Sequence, residues 1–157
     1  MSTHAMIDLE TLCVTPQACV ITVGGVKFDP MTYVEPYDEF YYKLDVESQD
    51  RSVNDDTIAW WSTQDKKIQE EAFGEEGRVH IDTFLDSLPK WMVGVDVLWG
   101  HGYGFDITIL EDMLRQRGKN IPWQFWQVRD SRTLFALAKV DPRKAMQSDL
   151  HNALADA

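Results

Sequence analysis

Asp8 and Glu10 stand two positions apart in the short, otherwise apolar run at residues 6–10. Side chains at i and i+2 of a β-strand project from the same face, so this spacing predicts that both carboxylates enter one pocket. Two adjacent negative charges repel each other unless a cation joins them, and Mg²⁺ and Mn²⁺ prefer such oxygen ligands. A strand end that exposes two acids to solvent explains the pair equally simply, and for an isolated Asp-x-Glu that explanation is favoured.

A third acid, Asp106, follows an apolar segment at 96–101 and a glycine-rich turn at 102–104. The pattern predicts a buried strand, then a helix over 105–115 with Asp106 in its first turn. Ligands bind at such strand ends in open α/β sheets. The helix dipole also favours an acid at this position by about 0.3–1 kcal/mol, so Asp106 alone does not decide between a ligand and a structural role.

His151 and Asp156 lie in a leucine- and alanine-rich stretch at 150–157 that predicts a helix. Five positions on a helix correspond to about 140° of rotation, so the two side chains converge only if His151 lies where the helix begins. Helices usually run longer than this stretch. We therefore expect a single domain over 1–157 that ends within its last helix.

Composition indicates a soluble globular protein, because 44% of the 157 residues are hydrophobic and 26% are charged. No apolar run approaches the roughly 18 residues of a membrane helix, and the N-terminus lacks a signal-peptide layout. These features predict a cytoplasmic protein without a membrane partner. Cys13 and Cys19 form no disulfide framework and match no zinc-binding spacing, so we expect reduced thiols.

The net charge of −11 argues against a protein that coats nucleic acid nonspecifically. The charge is unevenly distributed, with fifteen acids and five bases over 35–86, but eight bases and two acids over 115–144. The basic half could meet phosphate. A solvated surface of helices and loops explains each of these bases as well.

Three β-rich segments open the chain and predict an antiparallel meander whose first strand carries the carboxylates. They cover residues 6–10, 18–28 and 39–44. The glycine pair at 24–25 predicts either a β-bulge or a close backbone approach within the second strand.

A helix through Trp60 and Trp61, capped by Asn54 or Asp55, is predicted next. Adjacent indoles on a helix cannot share one face, so we expect one in the core and the other at a groove, where it could stack on a base. Helical spacing also predicts a helix over 81–88 that Pro89 bends or ends. A strand at 127–130 and a helix at 132–139 complete the predicted elements.

In this order, the motifs at 7–11, 99–106 and 151–156 resemble those of the DEDDh-type 3′→5′ exonucleases. Residues 57–61 and 129–133 further resemble a branch that includes exonuclease A of tailed phages and a related bacterial 3′→5′ exoribonuclease domain. The resemblance implies an α/β, ribonuclease H-like mixed sheet flanked by helices, with three antiparallel strands first and parallel strands after them. It also implies a cytoplasmic setting in a bacterium or a phage host, and a possible homodimer.

The resemblance assigns roles to particular residues. It implies two Mg²⁺ or Mn²⁺ ions held by Asp8, Glu10, Asp106 and Asp156. It makes His151 the base that takes a proton from the attacking water, with Glu10 also in the catalytic set. The predicted substrate-binding residues are Thr11, Leu12, Trp61 and Phe105.

The leading hypothesis is a metal-dependent 3′→5′ exonuclease that acts on single-stranded nucleic acid or 3′ overhangs and releases nucleoside 5′-monophosphates. A ribonuclease H-like endonuclease, which does not need His151, is one alternative. The net charge of −11 also permits a catalytically inactive nucleic-acid-binding module or an acidic nucleic-acid mimic. The motifs do not distinguish DNA from RNA, because local geometry reads the 2′-hydroxyl.

Overall fold

The structure is a computed structural model that describes residues 2–32 and 35–141. Its strands are β1 (His4–Thr11), β2 (Val20–Phe28), β3 (Tyr37–Leu44), β4 (Arg78–Val79), β5 (Val97–Gly100) and β6 (Val128–Asp130). They form one six-stranded sheet in the order β4-β3-β2-β1-β5-β6. The central strand β1 is therefore the one that carries Asp8 and Glu10.

The sheet is mixed. β2 pairs antiparallel with both β1 and β3, whereas β5 pairs parallel with β1 and with β6. The predicted order of antiparallel strands followed by parallel strands is confirmed. The two-residue strand β4, which pairs parallel with β3, was not predicted because so short a segment carries no alternation to detect.

Five helices flank the sheet in the part of the chain that the structure describes. They are α1 (Asp55–Ser62), α2 (Lys66–Phe73), α3 (Ile81–Trp91), α4 (Tyr103–Gln116) and α5 (Ser131–Ala138). Short 3-10 turns lie at Val46–Ser48 and Phe125–Gln127. Among these residues no helix has the length and apolar character needed to cross a membrane.

Two helices differ from the sequence prediction. α2 was not predicted, because lysines, glutamates and a glutamine supply most of its eight residues. α3 does not end at Pro89 but continues to Trp91, and the Met92 N–H donates to the Leu88 carbonyl at 2.9 Å. Pro89 lies in the last turn, where a proline removes one backbone donor without stopping the helix.

The main core lies on one face of the sheet, under α3 and α4. From β1 it receives Ala5, Ile7 and Leu9, which alternate with the residues of the opposite face. Phe84, Leu85 and Leu88 of α3 and Ile107, Leu110, Met113 and Leu114 of α4 complete its centre. The alternation directs the side chains of Asp8 and Glu10 to the face opposite this core.

A second, smaller core positions α1 beside the end of β1. Its buried members are Leu12, Cys19, Ile21, Trp61 and Ala72. Asn54 caps α1, since its side-chain oxygen accepts hydrogen bonds from the backbone N–H groups of Asp56 and Thr57. The Asn54 N–H in turn donates to the Leu12 carbonyl at 2.8 Å, which joins the helix start to the strand end.

Gly25 shows both of the features that the glycine pair predicted. The register between β2 and β3 shifts between Gly25 and Lys27, as in a β-bulge. A Cβ atom on Gly25 would lie 2.2 Å from Cε2 of Phe40, so only hydrogen fits there. Phe40 is held in place by Trp91, whose ring it meets edge-on at 4.7 Å.

We expect Gly25→Ala to lower the free energy of unfolding by about 1–3 kcal/mol, because the Phe40 ring must leave its packed position. Urea unfolding measures the change. Gly104→Ala is the matched control, since a Cβ atom at Gly104 meets nothing within 4 Å and alanine favours a helix. Equal losses of stability in the two variants would contradict the prediction.

Candidate active site

Asp106 meets β1 at the residue between Asp8 and Glu10. β5 pairs with β1 as far as Met6 and Trp99, after which the chain turns into α4. The Leu9 N–H donates to Asp106 Oδ1 at 3.2 Å. Asp106 is 1% exposed and Glu10 is 8% exposed, so this contact brings two largely buried acids to one part of the strand.

The carboxylates have the donor chemistry of a site for a hard cation. Asp8, Glu10 and Asp106 offer only oxygen atoms, which suit Mg²⁺ or Mn²⁺ better than softer metals. Within residues 2–32 and 35–141, no group of three or more His, Cys, Asp or Glu side chains has the geometry of a metal site. His151 and Asp156, the remaining predicted members, lie outside the described residues.

A cleft of about 530 Å³ adjoins these acids. Its walls include Glu10 and Thr11 at the end of β1, Thr57, Trp60 and Trp61 of α1, and Phe105 of α4. Aromatic rings from α1 and α4 suit a ligand with a flat ring, and the Glu10 carboxylate offers oxygen atoms to a cation. Phe105 directly precedes Asp106, so α4 supplies both the wall and the acid.

The two indoles of α1 occupy different environments. Trp61 is 2% exposed, and its Nε1–H donates to the Thr11 carbonyl at 2.9 Å. Trp60 is 42% exposed and meets Trp61 edge-on at 5.0 Å. Trp60 is therefore the more exposed of the two indoles that line the cleft, whereas sequence reasoning selected Trp61. The adjacent tryptophans gave no signal that could have distinguished them.

Leu12 and Thr11 are both buried where β1 ends. The Leu12 side chain belongs to the second core rather than to the cleft wall, so the structure does not place it at the predicted nucleotide contact. Thr11 lines the cleft, and its hydroxyl donates to the Cys13 carbonyl at 2.6 Å. Of the predicted substrate-binding residues, Thr11, Trp61 and Phe105 reach the cleft.

Asp130 connects the turn before α4 to the start of α5. Its Oδ1 accepts hydrogen bonds from the Gly102 N–H and the Arg132 N–H, both at 2.9 Å. Its Oδ2 accepts the Thr133 hydroxyl at 2.9 Å. Gly102 has a φ of +86°, a conformation that glycine adopts at little cost, so this turn needs glycine and is fixed by Asp130.

Ser131 adds a second link between the same two segments. Its hydroxyl donates to the Gly100 carbonyl at 3.3 Å, and His101 Nδ1 lies 2.9 Å from the same Oγ. The His101 ring and the Ser131 hydroxyl thus share a hydrogen bond across the two segments. Sequence reasoning missed both Asp130 and Ser131, because their partners lie about 30 residues away in the chain.

We expect Asp130→Asn to destabilise the protein most at neutral pH. Burial raises the pKa of the Asp130 carboxyl, but hydrogen bonds from Gly102, Thr133 and Arg132 outweigh it and hold the pKa below 3.8. A carboxyl with a lowered folded-state pKa contributes stability above its unfolded pKa, and this contribution disappears as pH falls through the folded value. Urea unfolding at pH 7 and pH 3 should show a smaller difference from wild type at pH 3. A difference that does not shrink would contradict this assignment.

The model of the family described as the 3′-5′ exoribonuclease Rv2179c-like domain matches residues 3–157. The chain belongs to this family. The resemblance to DEDDh-type 3′→5′ exonucleases is thereby confirmed, and membership supports nuclease function. No curated protein matches the chain significantly.

Solved exonuclease structures share the fold. Exonuclease I matches with a TM-score of 0.65 at 13% identity over 88% of this chain and 31% of its own. Exonuclease I from Methylocaldum szegediense matches with a TM-score of 0.66 at 13% identity over 100% of this chain and 35% of its own. The nuclease domain of 3′hExo, a DEDDh family member bound to rAMP, matches with a TM-score of 0.60 at 16% identity over 99% of this chain and 86% of its own. The chain thus spans about a third of the exonuclease I chains, and these identities show the ribonuclease H-like fold alone.

Proposed function

We propose that this chain is a metal-dependent 3′→5′ exonuclease. It hydrolyses phosphodiester bonds at the 3′ end of single-stranded nucleic acid or of 3′ overhangs and releases nucleoside 5′-monophosphates. The supporting observation is the hydrogen bond from the Leu9 N–H to Asp106 Oδ1, which holds that acid between Asp8 and Glu10 beside an aromatic cleft. RNA is the first substrate to test, because the family description names an exoribonuclease and the 3′hExo structure contains rAMP.

Asp8, Glu10, Asp106 and Asp156 would hold two Mg²⁺ or Mn²⁺ ions. Two bound divalent ions supply Lewis-acid stabilisation of the charge that develops on the phosphate and on the leaving 3′ oxygen. The four carboxylates carry the charge that balances two such ions. In this proposal His151 takes the proton of the attacking water, a task that suits an imidazole with a pKa of about 6.5.

The cleft has room for one nucleotide. Its volume of about 530 Å³ lies in the range of small-ligand sites. Trp60 and Phe105 offer aromatic surface on which a base can stack, and such stacking accepts any base. Thr11, the last residue of β1, lines the cleft, and in this proposal its backbone meets the terminal nucleotide.

The test is cleavage of a 5′-labelled oligoribonucleotide and of its DNA counterpart, with Mg²⁺ or Mn²⁺ and with EDTA. The proposal predicts a ladder that shortens from the 3′ end and requires metal. A circular oligonucleotide of the same sequence has no 3′ end and should remain intact. Internal cuts would indicate the endonuclease alternative, and binding without cleavage would indicate the inactive module or mimic.

The cytoplasmic location and the homodimer remain parts of this proposal. Light scattering on the purified chain tests the homodimer by its mass, twice the 18.1 kDa of one chain. A mass equal to one chain would remove the homodimer and leave the proposed chemistry unaffected.

A further inference from the structure

Arg132 is an exposed cation at the edge of the sheet where the acids lie. Neighbouring parallel strands end at the same edge of a sheet, and β1, β5 and β6 are such neighbours. Glu10 lies near the carboxyl end of β1, and Asp130 is the last residue of β6. Arg132 follows Asp130 by two residues and therefore lies at the edge that carries Glu10.

The guanidinium of Arg132 lies against the turn from which α4 begins. A Cβ atom on Gly102 would be 3.4 Å from its Nε, 3.6 Å from its Nη2 and 3.7 Å from its Cζ. Gly102 precedes Asp106 by four residues, one helical turn. The absence of a side chain at this turn lets the guanidinium approach the helix that carries the buried acid.

The backbone of Arg132 is fixed in this place. Asp130 Oδ1 accepts the N–H groups of both Gly102 and Arg132, so one carboxylate oxygen holds the two residues together. Ser131, which lies between Asp130 and Arg132 in the chain, donates its hydroxyl hydrogen to the Gly100 carbonyl. The start of α5 therefore keeps its position relative to α4.

The Arg132 guanidinium has no carboxylate within ion-pair distance across residues 2–32 and 35–141. Arg51, Arg115 and Arg117 each pair with an acid in the same part of the chain. In a chain with a net charge of −11, a cation beside an acidic site that no acid neutralises is available to an anionic ligand.

We propose that Arg132 binds the phosphate on the 5′ side of the scissile linkage, a role that rests on the function proposed above. The aromatic cleft lies on the β2 side of β1, because Trp61 of α1 packs with Ile21 of β2. Arg132 lies on the β6 side, with the acids between. A strand whose terminal nucleotide fills the cleft crosses the acids and leads its next phosphate toward Arg132. The planar guanidinium fork matches two phosphate oxygens.

Steady-state cleavage of a 5′-labelled oligoribonucleotide tests this role. We expect Arg132→Gln to raise KM about tenfold or more with little change in kcat, because it removes a charge-assisted contact made equally in the ground and transition states. Arg132→Lys should recover part of the loss, since it keeps the charge without the fork. The melting temperature should change little, because the side chain is exposed.

A substrate with one neutral linkage identifies the phosphate. The oligonucleotide carries a methylphosphonate at the linkage on the 5′ side of the first scissile one, with 2′-deoxyribose there, and its control has an ordinary phosphate at the same 2′-deoxy position. On the methylphosphonate substrate, the KM of wild type should rise by about the factor that Arg132→Gln causes on the control substrate. The KM of Arg132→Gln should rise little further on the methylphosphonate substrate. If the substitution and the methylphosphonate raised KM by independent factors that multiply, Arg132 would not contact that phosphate. This result would overturn the inference.

Arg115→Gln is the matched control, because it makes the same charge change in the last turn of α4, about 13 Å along the helix from Asp106. Equal increases in KM for Arg115→Gln and Arg132→Gln would reveal an effect of net charge alone and overturn the inference. So would an unchanged KM in Arg132→Gln. A wild-type protein that fails to cleave any substrate would instead remove the proposed function, before any variant is compared.

Discussion

Asp106→Asn should abolish cleavage while the protein remains folded. Asparagine keeps an oxygen that can accept the Leu9 N–H, so the contact between α4 and β1 survives. The substitution removes one negative charge from a largely buried position beside Asp8 and Glu10. A bound divalent ion stabilises the transition state by several kcal/mol, and its ligands hold it in place. We therefore expect the cleavage rate to fall by about 10³-fold or more.

Asp8→Asn should give the same loss, because Asp8 shares the face of β1 that Glu10 occupies. Without metal, both variants should melt at the temperature of wild type or above it, since each relieves repulsion among clustered acids. Added Mg²⁺ or Mn²⁺ should raise the melting temperature of wild type more than that of either variant. Thermal unfolding and the oligonucleotide ladder measure the two effects separately.

Asp86→Asn is the control for these variants. It removes the same charge from the exposed surface of α3, where Asp86 pairs with Lys119 at 2.6 Å. Exposed pairs contribute at most about 1 kcal/mol, so its cleavage and its response to metal should match wild type. Full cleavage by Asp8→Asn or Asp106→Asn at saturating Mg²⁺ would remove these acids from the site.

The sequence predicted the placement of Asp8, Glu10 and Asp106 because local patterns determine it. Two-residue alternation in β1 separates Ala5 and Ile7 in the core from the acids, and any strand in that position must do the same. The glycine-rich turn likewise marks the start of α4. The order of motifs then predicted the mixed sheet through its resemblance to a known fold.

Contacts distant in sequence explain what could not be predicted. Asp130 holds Gly102 across 28 positions, and no local pattern reveals such a partner. α2 has a polar composition that predicts no core contact, although Ala72 is buried against Trp61 in the second core. The choice between Trp60 and Trp61 depends on which face of α1 meets this core, and neighbouring elements decide that.

Trp61→Ala should lower the free energy of unfolding by about 3–5 kcal/mol, the usual cost of removing a large buried aromatic side chain. The indole fills the second core and meets the Phe73 ring edge-on at 5.5 Å. It also donates to the Thr11 carbonyl, so alanine leaves a buried acceptor without that bond. Trp61→Phe keeps most of the packing and should separate the hydrogen bond from the cavity. Urea unfolding measures all three proteins.

Trp60→Ala is the matched variant, one residue away with the opposite expectation. Trp60 is 42% exposed, so its removal should cost much less stability than the removal of Trp61. If it stacks on the terminal base, oligonucleotide binding should weaken by about 1–3 kcal/mol, which fluorescence anisotropy measures. Equal destabilisation of the two alanine variants, or unchanged affinity in Trp60→Ala, would leave no separate binding role for this indole. A stable Trp60→Ala protein with weakened binding would mean that α1 uses Trp61 to hold the end of β1 and Trp60 to hold the substrate.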